Sequence, residues 1–296
     1  MNIKIDHLTK TYPNGYKALN DVNLEIQNGM FGLLGPNGAG KSSLMRTLVT
    51  LQQYTSGTVT MGGLDISKDR EAIRQMVGYL PQDFTFFSKL KVWEFLDYSA
   101  RLAGVKGGKF RKNAVDEMLS KVALYEVRDK LANKLSGGMK RRLGIAQALI
   151  GTPKVLVIDE PTTGLDPEER IRFRNILSDL GKEDVIIILS THIVGDISST
   201  CEDMALLHQG KVEFKGSPEL LIKQTEGKVW QMTVNDAEFA QLKEKYPVIA
   251  TIPAGGFWEI EFIAEDPSGL DVKPVKPNLE HAYVYFMESK LNVSLN

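Results

Sequence analysis

The sequence has few of the residues that form disulfides, metal clusters or membrane spans. Its 296 residues include one cysteine and four histidines, so no internal disulfide can form and no Cys/His cluster resembles a zinc site. The single cysteine, Cys201, is expected to be a small core residue. No segment approaches the roughly 20 consecutive apolar residues that span a bilayer, and the N-terminus lacks the apolar core of a signal peptide. We therefore expect a chain that does not cross a membrane by itself.

The chain also lacks an excess of charge of either sign. Thirty-six Lys and Arg residues balance thirty-seven Asp and Glu residues, which gives a formal net charge of −1. Long-range attraction to nucleic acid or to an anionic membrane surface is therefore not expected. With 43% hydrophobic and 25% charged residues, the composition is that of an ordinary globular protein and excludes a disordered or collagen-like chain. The length suits one large domain or two ordinary ones.

The hydrophobic pattern of the first 225 residues predicts strands, then helices, then a buried sheet. Short strand-like segments separated by glycine-rich turns come first. Apolar residues three and four apart predict a helical subdomain over about residues 83–150. Continuous apolar runs at 155–159 and 185–190 are separated by a helix that begins after Asp166, which is typical of a buried parallel sheet.

The pattern changes after about residue 226. Three segments with strand-like alternation are followed by a proline-rich break over residues 267–277 and by a closing helical segment. The sequence therefore predicts a small C-terminal α+β appendage.

A phosphate-binding loop is the strongest motif. Residues 35–42 read GPNGAGKS and match the pattern GxxxxGK[ST] between an apolar strand and a helix. In such a loop the backbone N–H groups and the helix N-terminus hold phosphate oxygens. Lys41 then reaches the β and γ phosphates, and the Ser42 hydroxyl coordinates Mg²⁺. The predicted nucleotide-binding residues here are Gly35, Pro36, Asn37, Gly38, Ala39, Gly40, Lys41, Ser42 and Ser43.

Two adjacent carboxylates follow the first apolar run. Asp159 ends this run and fits the role of a metal ligand. Glu160 comes next, and a carboxylate there can polarise the water that attacks the γ phosphate. These residues predict a metal ligand and a general base beside the phosphate loop.

These motifs and four others resemble the ATP-binding cassette (ABC) ATPases that drive ABC transporters. The resemblance covers about residues 1–225, with all motifs in the family's order. The segment 135–139, LSGGM, is similar to the LSGGQ signature, and Gln82 in YLPQD is similar to the Q-loop glutamine. His192 in STHIVGD resembles the switch histidine, and residues 164–166 resemble the D-loop.

The resemblance implies a role for each matching residue. Gln82 contacts Mg²⁺ and the attacking water, and His192 donates a hydrogen bond to the γ phosphate. Tyr12 stacks on adenine, although Tyr16 is one short loop away and remains an alternative. In the family two cassettes meet head to tail around two ATP molecules, so the signature contacts the nucleotide of the opposite subunit. The signature residues in this role are Ser136, Gly137 and Gly138.

Two features near the signature need separate predictions. Met139 stands where glutamine is usual, and we expect a changed coupling or rate with ATP binding retained. The basic run 140–142, Lys-Arg-Arg, has no interleaved aromatic residues and is expected to be a solvated charged face.

The resemblance also implies a fold and partners. The expected fold is an α/β, P-loop NTPase cassette of the ABC type over residues 1–225, with a mixed sheet core, an antiparallel β subdomain and the helical subdomain. Outside the resemblance, residues 226–296 are expected to form a C-terminal α+β accessory domain. A transmembrane permease subunit on a separate chain and a second cassette, in a homodimer or heterodimer, complete the complex on the cytoplasmic face of the cell membrane. The segment after Gln82 and the tail PNLEHAYVYF resemble the bacterial drug and antibiotic export group, which favours export.

Two other functions are compatible with such a cassette. A soluble ABC ATPase working on DNA or ribosomes is disfavoured, because the chain has no long coiled-coil insertion and only one phosphate loop. An ATPase for cofactor assembly is harder to exclude by length. A non-hydrolysing regulatory cassette is disfavoured because Glu160 and His192 are both present.

Overall fold

The protein divides into two compact units. A computed structural model describes residues 1–87, 89–182, 184–291 and 293. The units are Met1–Lys215 and Gly216–Asn296. Within the described residues, no helix combines the length and the apolar character that a bilayer crossing needs.

The first unit contains ten strands, seven α-helices and two short 3-10 helices among its described residues. The strands are β1 (Ile3–Thr11), β2 (Lys17–Ile26), β3 (Gly29–Leu34), β4 (Ser56–Met61), β5 (Leu64–Asp65), β6 (Val77–Leu80), β7 (Val155–Asp159), β8 (Ile186–Thr191), β9 (Asp203–His208) and β10 (Lys211–Gly216). The helices are α1 (Lys41–Leu48), α2 (Arg70–Met76), α3 (Val92–Leu102), α4 (Gly108–Lys121), α5 (Gly137–Leu149), α6 (Pro167–Leu180) and α7 (Val194–Thr200).

An antiparallel sheet, ordered β2-β1-β4-β5, forms the expected β subdomain. Ile3, Ile5 and Leu8 on β1 are all buried. The odd spacing of Leu8 has a local cause, because the pairing register of β1 with β2 shifts between Ile5 and Leu8. His7, in this interval, has a positive φ of 51°. This bulge turns Leu8 back to the core face.

A six-stranded sheet, ordered β10-β9-β3-β8-β7-β6, forms the core predicted from the apolar runs. Strand β3 is parallel to β8 and β9, and β7 is parallel to β6 and β8. Every residue of β7 and β8 is buried. Because parallel strands end at the same edge of a sheet, the loops after β3, β7 and β8 share one edge, where ligands bind in open α/β sheets.

The predicted helical subdomain is present as α3, α4 and α5, which pack against one another. Buried residues of α3 recur at helical spacing, as Val92, Phe95, Leu96, Ser99 and Ala100. The helix expected after Asp166 is α6, and the Asp166 carboxylate accepts a hydrogen bond from the backbone N–H of Glu169 at 2.8 Å.

Cys201 lies in the first unit and follows α7. It is 9% exposed, as expected for a core residue. Burial raises the pKa of its thiol to about 12. The thiol is therefore protonated at neutral pH and unreactive.

The second unit contains a four-stranded antiparallel sheet, ordered β12-β13-β11-β14. Its elements are α8 (Pro218–Lys223), β11 (Val229–Val234), α9 (Asp236–Lys245), β12 (Val248–Ala254), β13 (Phe257–Ile263), β14 (Lys273–Pro274), α10 (Leu279–Tyr285) and a π-helical turn at Phe286–Lys290. The core of this unit includes Val234, Leu242, Ile260, Phe262 and Ala264.

Two details of the second unit differ from the sequence-based expectation. The proline-rich break contains β14, which pairs with β11 through Trp230 and Gln231. The compact units divide before α8, whereas the expected domain boundary at 225/226 falls after it. Helix α8 packs against α10, which explains its place in the second unit. The assignment of residues 1–225 to a functional cassette and of 226–296 to an accessory domain stays a prediction.

Candidate active site

The phosphate loop connects β3 to α1, as the motif requires. Lys41, the first residue of α1, is buried, and its Nζ donates to the carbonyl oxygens of Gly35 at 2.7 Å and Pro36 at 3.1 Å. The same Nζ lies 3.2 Å from Oε1 of Glu160. The ammonium is therefore held inside the loop and beside the carboxylate at the end of β7.

Gly40 shows why the loop needs glycine at this position. Its φ is 109°, and a Cβ there would lie 2.4 Å from the carbonyl oxygen of Ala18. A side chain would both strain the backbone and collide with β2. The loop therefore passes directly against neighbouring backbone before α1 begins.

Glu160 is the centre of the contact network. It is 5% exposed, and three side chains contact its carboxylate. Lys41 contacts Oε1, while His192 Nδ1 lies 2.6 Å and Thr163 Oγ1 3.2 Å from Oε2. Glu160 also has a positive φ of 49°, which is unusual for a residue with a side chain. The structure thus joins the predicted phosphate lysine, general base and switch histidine in one network.

A serine outside the predicted site residues contacts both Asp159 and Glu160, through the carboxylate of the first and the backbone N–H of the second. Ser190, in β8, donates through Oγ to Oδ1 of Asp159 at 2.5 Å. The same Oγ accepts a hydrogen bond from the backbone N–H of Glu160 at 3.2 Å. Asp159 is buried, and its charge adds to the effect of burial in raising the pKa of Tyr79. Ser190 is the first residue of the STHIVGD segment, but its contacts with Asp159 and Glu160 depend on the pairing of β7 with β8.

A second set of contacting residues outside the predicted site surrounds the loop after β8. Asp196 is buried, and its Oδ1 accepts hydrogen bonds from Arg174 at 2.7 and 3.1 Å. Its Oδ2 accepts from the hydroxyls of Thr162 and Thr191. Thr162 follows Glu160 by two residues and Thr191 precedes His192 directly. This network therefore fixes the two chain segments that carry Glu160 and His192.

Gln82 lies at the predicted edge of the sheet, but unlike the buried Glu160 it is exposed. It follows β6, the neighbour of β7. Its backbone carbonyl accepts from Arg141 at 2.7 Å. Gln82 and Glu160 line one cleft of about 360 Å³, together with Gly137 at the start of the signature helix.

The signature segment starts α5. Ser136 and Gly137 are exposed, and the Ser136 hydroxyl oxygen accepts from the backbone N–H of Met139 at 3.2 Å. Ser136 is thus the N-cap of α5, and its hydroxyl proton is not used in this bond. A Cβ on Gly138 would lie 2.4 Å from the carboxyl group of Glu169, so a larger residue there would require the Glu169 side chain to move.

Tyr12 and Tyr16 form a stacked pair beside the phosphate loop and α1. Their ring centroids are 6.3 Å apart with an interplanar angle of 16°. The Tyr12 hydroxyl bonds Ser43 Oγ at 3.2 Å and Gln52 Oε1 at 3.0 Å. Tyr16 is 52% exposed, and its hydroxyl donates to the carbonyl oxygen of Gly38 at 3.1 Å. Both candidates for the adenine platform therefore lie against the phosphate loop and α1.

The expectation of a solvated face at residues 140–142 is wrong for its two arginines. Arg142 is 3% exposed and donates to the carbonyl oxygens of Val122 and Ala123 at 2.9 and 2.7 Å. It also pairs with both carboxylate oxygens of Glu169, at 3.1 and 3.2 Å. A run of cations in sequence does not reveal backbone acceptors that come from distant segments.

Arg141 is half-buried beside the active site. Burial lowers the pKa of its guanidinium, whereas the charges of Asp159, Asp83 and Glu160 oppose this effect. Among the described residues, the hydrogen-bond acceptors of Arg141 are all backbone carbonyls. They belong to Pro81, Gln82, Asp159, Glu160 and Pro161.

Comparisons with known proteins agree with this arrangement. Residues 19–163 match the ABC transporter family. The chain is 34% identical over 251 residues to the uncharacterized ABC transporter ATP-binding protein YxlF of Bacillus subtilis, covering 84% of this chain and 82% of that protein. The chain belongs to the ABC transporter ATP-binding proteins. As a member of this family it is the ATP-binding subunit of an ABC transporter, and it is an ATP hydrolase.

The chain is also similar to the ATP-binding cassettes of other ABC transporters. The probable multidrug ABC transporter ATP-binding protein YbhF of Escherichia coli is 37% identical over 233 residues, which span 78% of this chain and 40% of that protein. A dimeric post-hydrolysis state of the ATP-binding cassette MJ0796, bound to ADP and Pi, has a TM-score of 0.67 and 27% identity, and covers 73% of this chain and 98% of that one. CbiO1 of Clostridium perfringens, part of the ABC transporter complex cbiONQ, has a TM-score of 0.68 and 27% identity over 82% of this chain and 98% of its own. These similarities confirm the predicted ABC cassette fold.

Proposed function

We propose that two cassettes close around two ATP molecules and that ATP hydrolysis reopens them, driving substrate export through a separate membrane subunit. The observation that carries this proposal is the contact network of Glu160, whose carboxylate joins Lys41 at 3.2 Å and His192 at 2.6 Å. This network brings together a phosphate-binding lysine, a general base and a hydrogen-bond donor to the γ phosphate. A cassette built only to bind nucleotide has no need of the base.

In the proposed hydrolysis, Glu160 accepts a proton from the attacking water. The water oxygen bonds to the γ phosphorus, and the bond from that phosphorus to the β–γ bridging oxygen breaks, leaving ADP and phosphate. Lys41 neutralises charge on the phosphates, and His192 donates a hydrogen bond to the γ phosphate. Asp196 binds Thr162, two residues after Glu160, and Thr191, directly before His192. These contacts hold the two chain segments, so that the side chains of Glu160 and His192 keep their geometry.

The residues at this corner suit a magnesium ion. Mg²⁺ prefers oxygen ligands, and Ser42, Asp159 and Gln82 offer a hydroxyl, a carboxylate and an amide oxygen. Lys41 contacts Glu160, so their chain neighbours Ser42 and Asp159 belong to the same corner of the site. Ser190 donates to only one oxygen of Asp159. When bound, Mg²⁺ neutralises charge that develops on the phosphates.

The exposed signature supports the proposed dimer. Ser136 and Gly137 present a helix N-terminus at the surface, with a hydroxyl proton and N–H groups that suit phosphate oxygens. A second copy of this chain, or a related cassette, would receive them on its own nucleotide. Gln82, in the same cleft as Glu160, then links the site to the helical subdomain, which is the proposed contact region for the permease.

Affinity capture tests the proposed partner. The tagged chain, purified from mildly solubilised membranes of its host, is expected to retain a polytopic membrane protein detectable by mass spectrometry. A second membrane complex of known composition, captured in the same detergent, is the control for preservation. If that complex survives and the tagged chain retains only soluble partners, the permease-coupled proposal is wrong and a soluble ATPase takes its place.

Substitution of the stacked tyrosines identifies the adenine platform. We propose that adenine stacks on Tyr12, and Tyr12→Ala is expected to weaken ATP binding by roughly 5- to 150-fold, from the loss of about 1–3 kcal/mol of stacking. Tyr12→Phe keeps the ring and removes only the hydroxyl contacts, so its ATP dissociation constant is expected to stay near wild type. Equilibrium binding of a fluorescent ATP analogue measures both. A larger effect of Tyr16→Ala than of Tyr12→Ala assigns the platform to Tyr16.

A further inference from the structure

The ends of β6 and β7 carry the two segments that the proposed function depends on. These strands are parallel neighbours, and their pairing ends at Leu80 and Ile158. Gln82 and Glu160 lie just beyond these pairs. Backbone carbonyls past the end of a ladder lose their strand partners and need other donors.

Arg141 supplies these donors from the signature helix. Its Nη1 donates to the carbonyl oxygens of Pro81 at 3.1 Å and Gln82 at 2.7 Å, on the β6 side. Its Nε donates to Pro161 O at 2.8 Å, on the β7 side. Nη2 donates to Asp159 O at 3.3 Å and also to Glu160 O.

The geometry uses the whole guanidinium group. Arginine has five N–H donors in a planar fork, and five carbonyl oxygens accept from Arg141. A lysine has three donors on a single nitrogen and cannot span both segments. The arrangement therefore depends on the shape of arginine as well as on its charge.

One of the acceptors is the carbonyl oxygen of Glu160, whose backbone conformation is strained. Glu160 has a φ of 49°, and a non-glycine residue in this region costs on the order of 1 kcal/mol or more, so it needs support from its surroundings. The backbone N–H of Glu160 donates to Ser190. Its carbonyl oxygen accepts from Arg141, so the peptide groups on both sides of Glu160 are held.

We propose that Arg141 is a positioning residue for ATP hydrolysis, which ties the start of the signature helix to the Gln82 segment and to the backbone of Glu160. The inference rests on the proposed roles of Glu160 and Gln82. Arg141 lies on the same helix as Ser136 and Gly137, four to five residues further on. Movement of that helix is thereby transmitted to the general base, and movement of Gln82 to the signature.

Three variants of the full chain test this role. Arg141→Lys keeps the charge, Arg141→Ala removes the side chain, and Arg172→Ala is the control, because Arg172 is 52% exposed and pairs with Glu168 on the surface of α6. We expect kcat for ATP to fall on the order of 10- to 100-fold in both Arg141 variants, with KM within about threefold of wild type. The control is expected to keep both values.

Hydrogen–deuterium exchange separates positioning from general stability. Faster exchange is expected in peptides covering residues 81–87 and 159–165, with exchange in β3 and α1 unchanged. Arg141→Lys variants with wild-type kcat and exchange overturn the proposal. Uniformly faster exchange across the first unit, with a matching loss of thermal stability in Arg141→Lys, overturns it as well, because the residue is then only structural.

A parallel measurement keeps this inference separate from the proposed function. If Glu160→Gln is slow and the Arg141 variants are not, only the positioning role fails. If Glu160→Gln hydrolyses ATP at the wild-type rate, the assigned base is wrong, and the positioning role fails with it.

Discussion

Replacing Glu160 by glutamine is expected to lower kcat for ATP by about 10²- to 10⁴-fold, the contribution of a general base. Glutamine has the shape of glutamate and keeps an oxygen that Lys41 or His192 can reach. It cannot accept the proton of the attacking water at neutral pH. The ATP dissociation constant is expected to stay within about threefold of wild type, because the substitution leaves the phosphate loop unchanged.

The same variant is expected to accumulate as a closed dimer in the presence of ATP and Mg²⁺. Hydrolysis reopens the proposed dimer, so a slow enzyme stays in the ATP-bound state. Light scattering coupled to size exclusion measures the dimer fraction, and a single-turnover assay measures hydrolysis. Glu168→Gln is the matched control, because Glu168 lies on the exposed surface of α6, where it pairs with Arg172. A wild-type rate in Glu160→Gln contradicts the assignment of the base.

Replacing Lys41 by alanine is expected to weaken ATP binding itself. The Lys41 ammonium is buried in the phosphate loop, where it donates to Gly35 and Pro36. On binding it exchanges these carbonyls for phosphate oxygens. Each charge-assisted hydrogen bond contributes about 1.5–3 kcal/mol, so loss of two of them raises the dissociation constant by at least about 10²-fold.

Equilibrium binding of ATP measures this effect, with Lys68→Ala as the control. The side chain of Lys68 is 79% exposed and remote from the phosphate loop in sequence, so this variant is expected to bind ATP normally. A urea midpoint close to wild type shows whether Lys41→Ala remains folded, since the substitution also removes a partner of the buried Glu160 carboxylate. A folded Lys41→Ala protein with unchanged affinity contradicts the assigned role of this lysine.

Local spacing in the sequence is enough to indicate candidate site residues, whose roles stay predictions. The phosphate loop needs consecutive residues, so Lys41 and Ser42 were recognisable without a fold. Asp159 and Glu160 follow a β-branched apolar run, and the run itself predicts that the strand ends there. His192 was indicated by the family resemblance, whereas its contact with Glu160 depends on the pairing of β7 with β8 in the folded sheet.

Sequence was insufficient wherever a side chain binds backbone from a distant segment. Arg141 and Arg142 lie in a run of three cations, a pattern that usually indicates a solvent-exposed surface. Their acceptors are carbonyl groups, which every residue has and which leave no trace in residue type. The carboxylate of Asp196 likewise could not be assigned, because its partners come from α6, from the segment after β7 and from the end of β8. Such contacts follow only from the packed fold.

The second unit shows the same limit in its secondary structure. Proline disfavours the centre of a sheet, and the segment 267–277 accordingly suggested a break. Lys273 and Pro274 nevertheless form a two-residue edge strand on β11, a position where the missing N–H of proline is tolerated. Whether this segment forms a strand is decided by its pairing with β11, and the local sequence does not contain that information.

The burial of Cys201 makes the chain suitable for thiol-directed chemistry. It is the only cysteine in the sequence, and its protonated, enclosed sulfur does not compete for maleimide or spin-label reagents at neutral pH. A cysteine introduced at an exposed position becomes the one reactive thiol without prior removal of the native residue. Distances between two copies of the protein can thus be followed by fluorescence or electron paramagnetic resonance without any substitution in the core.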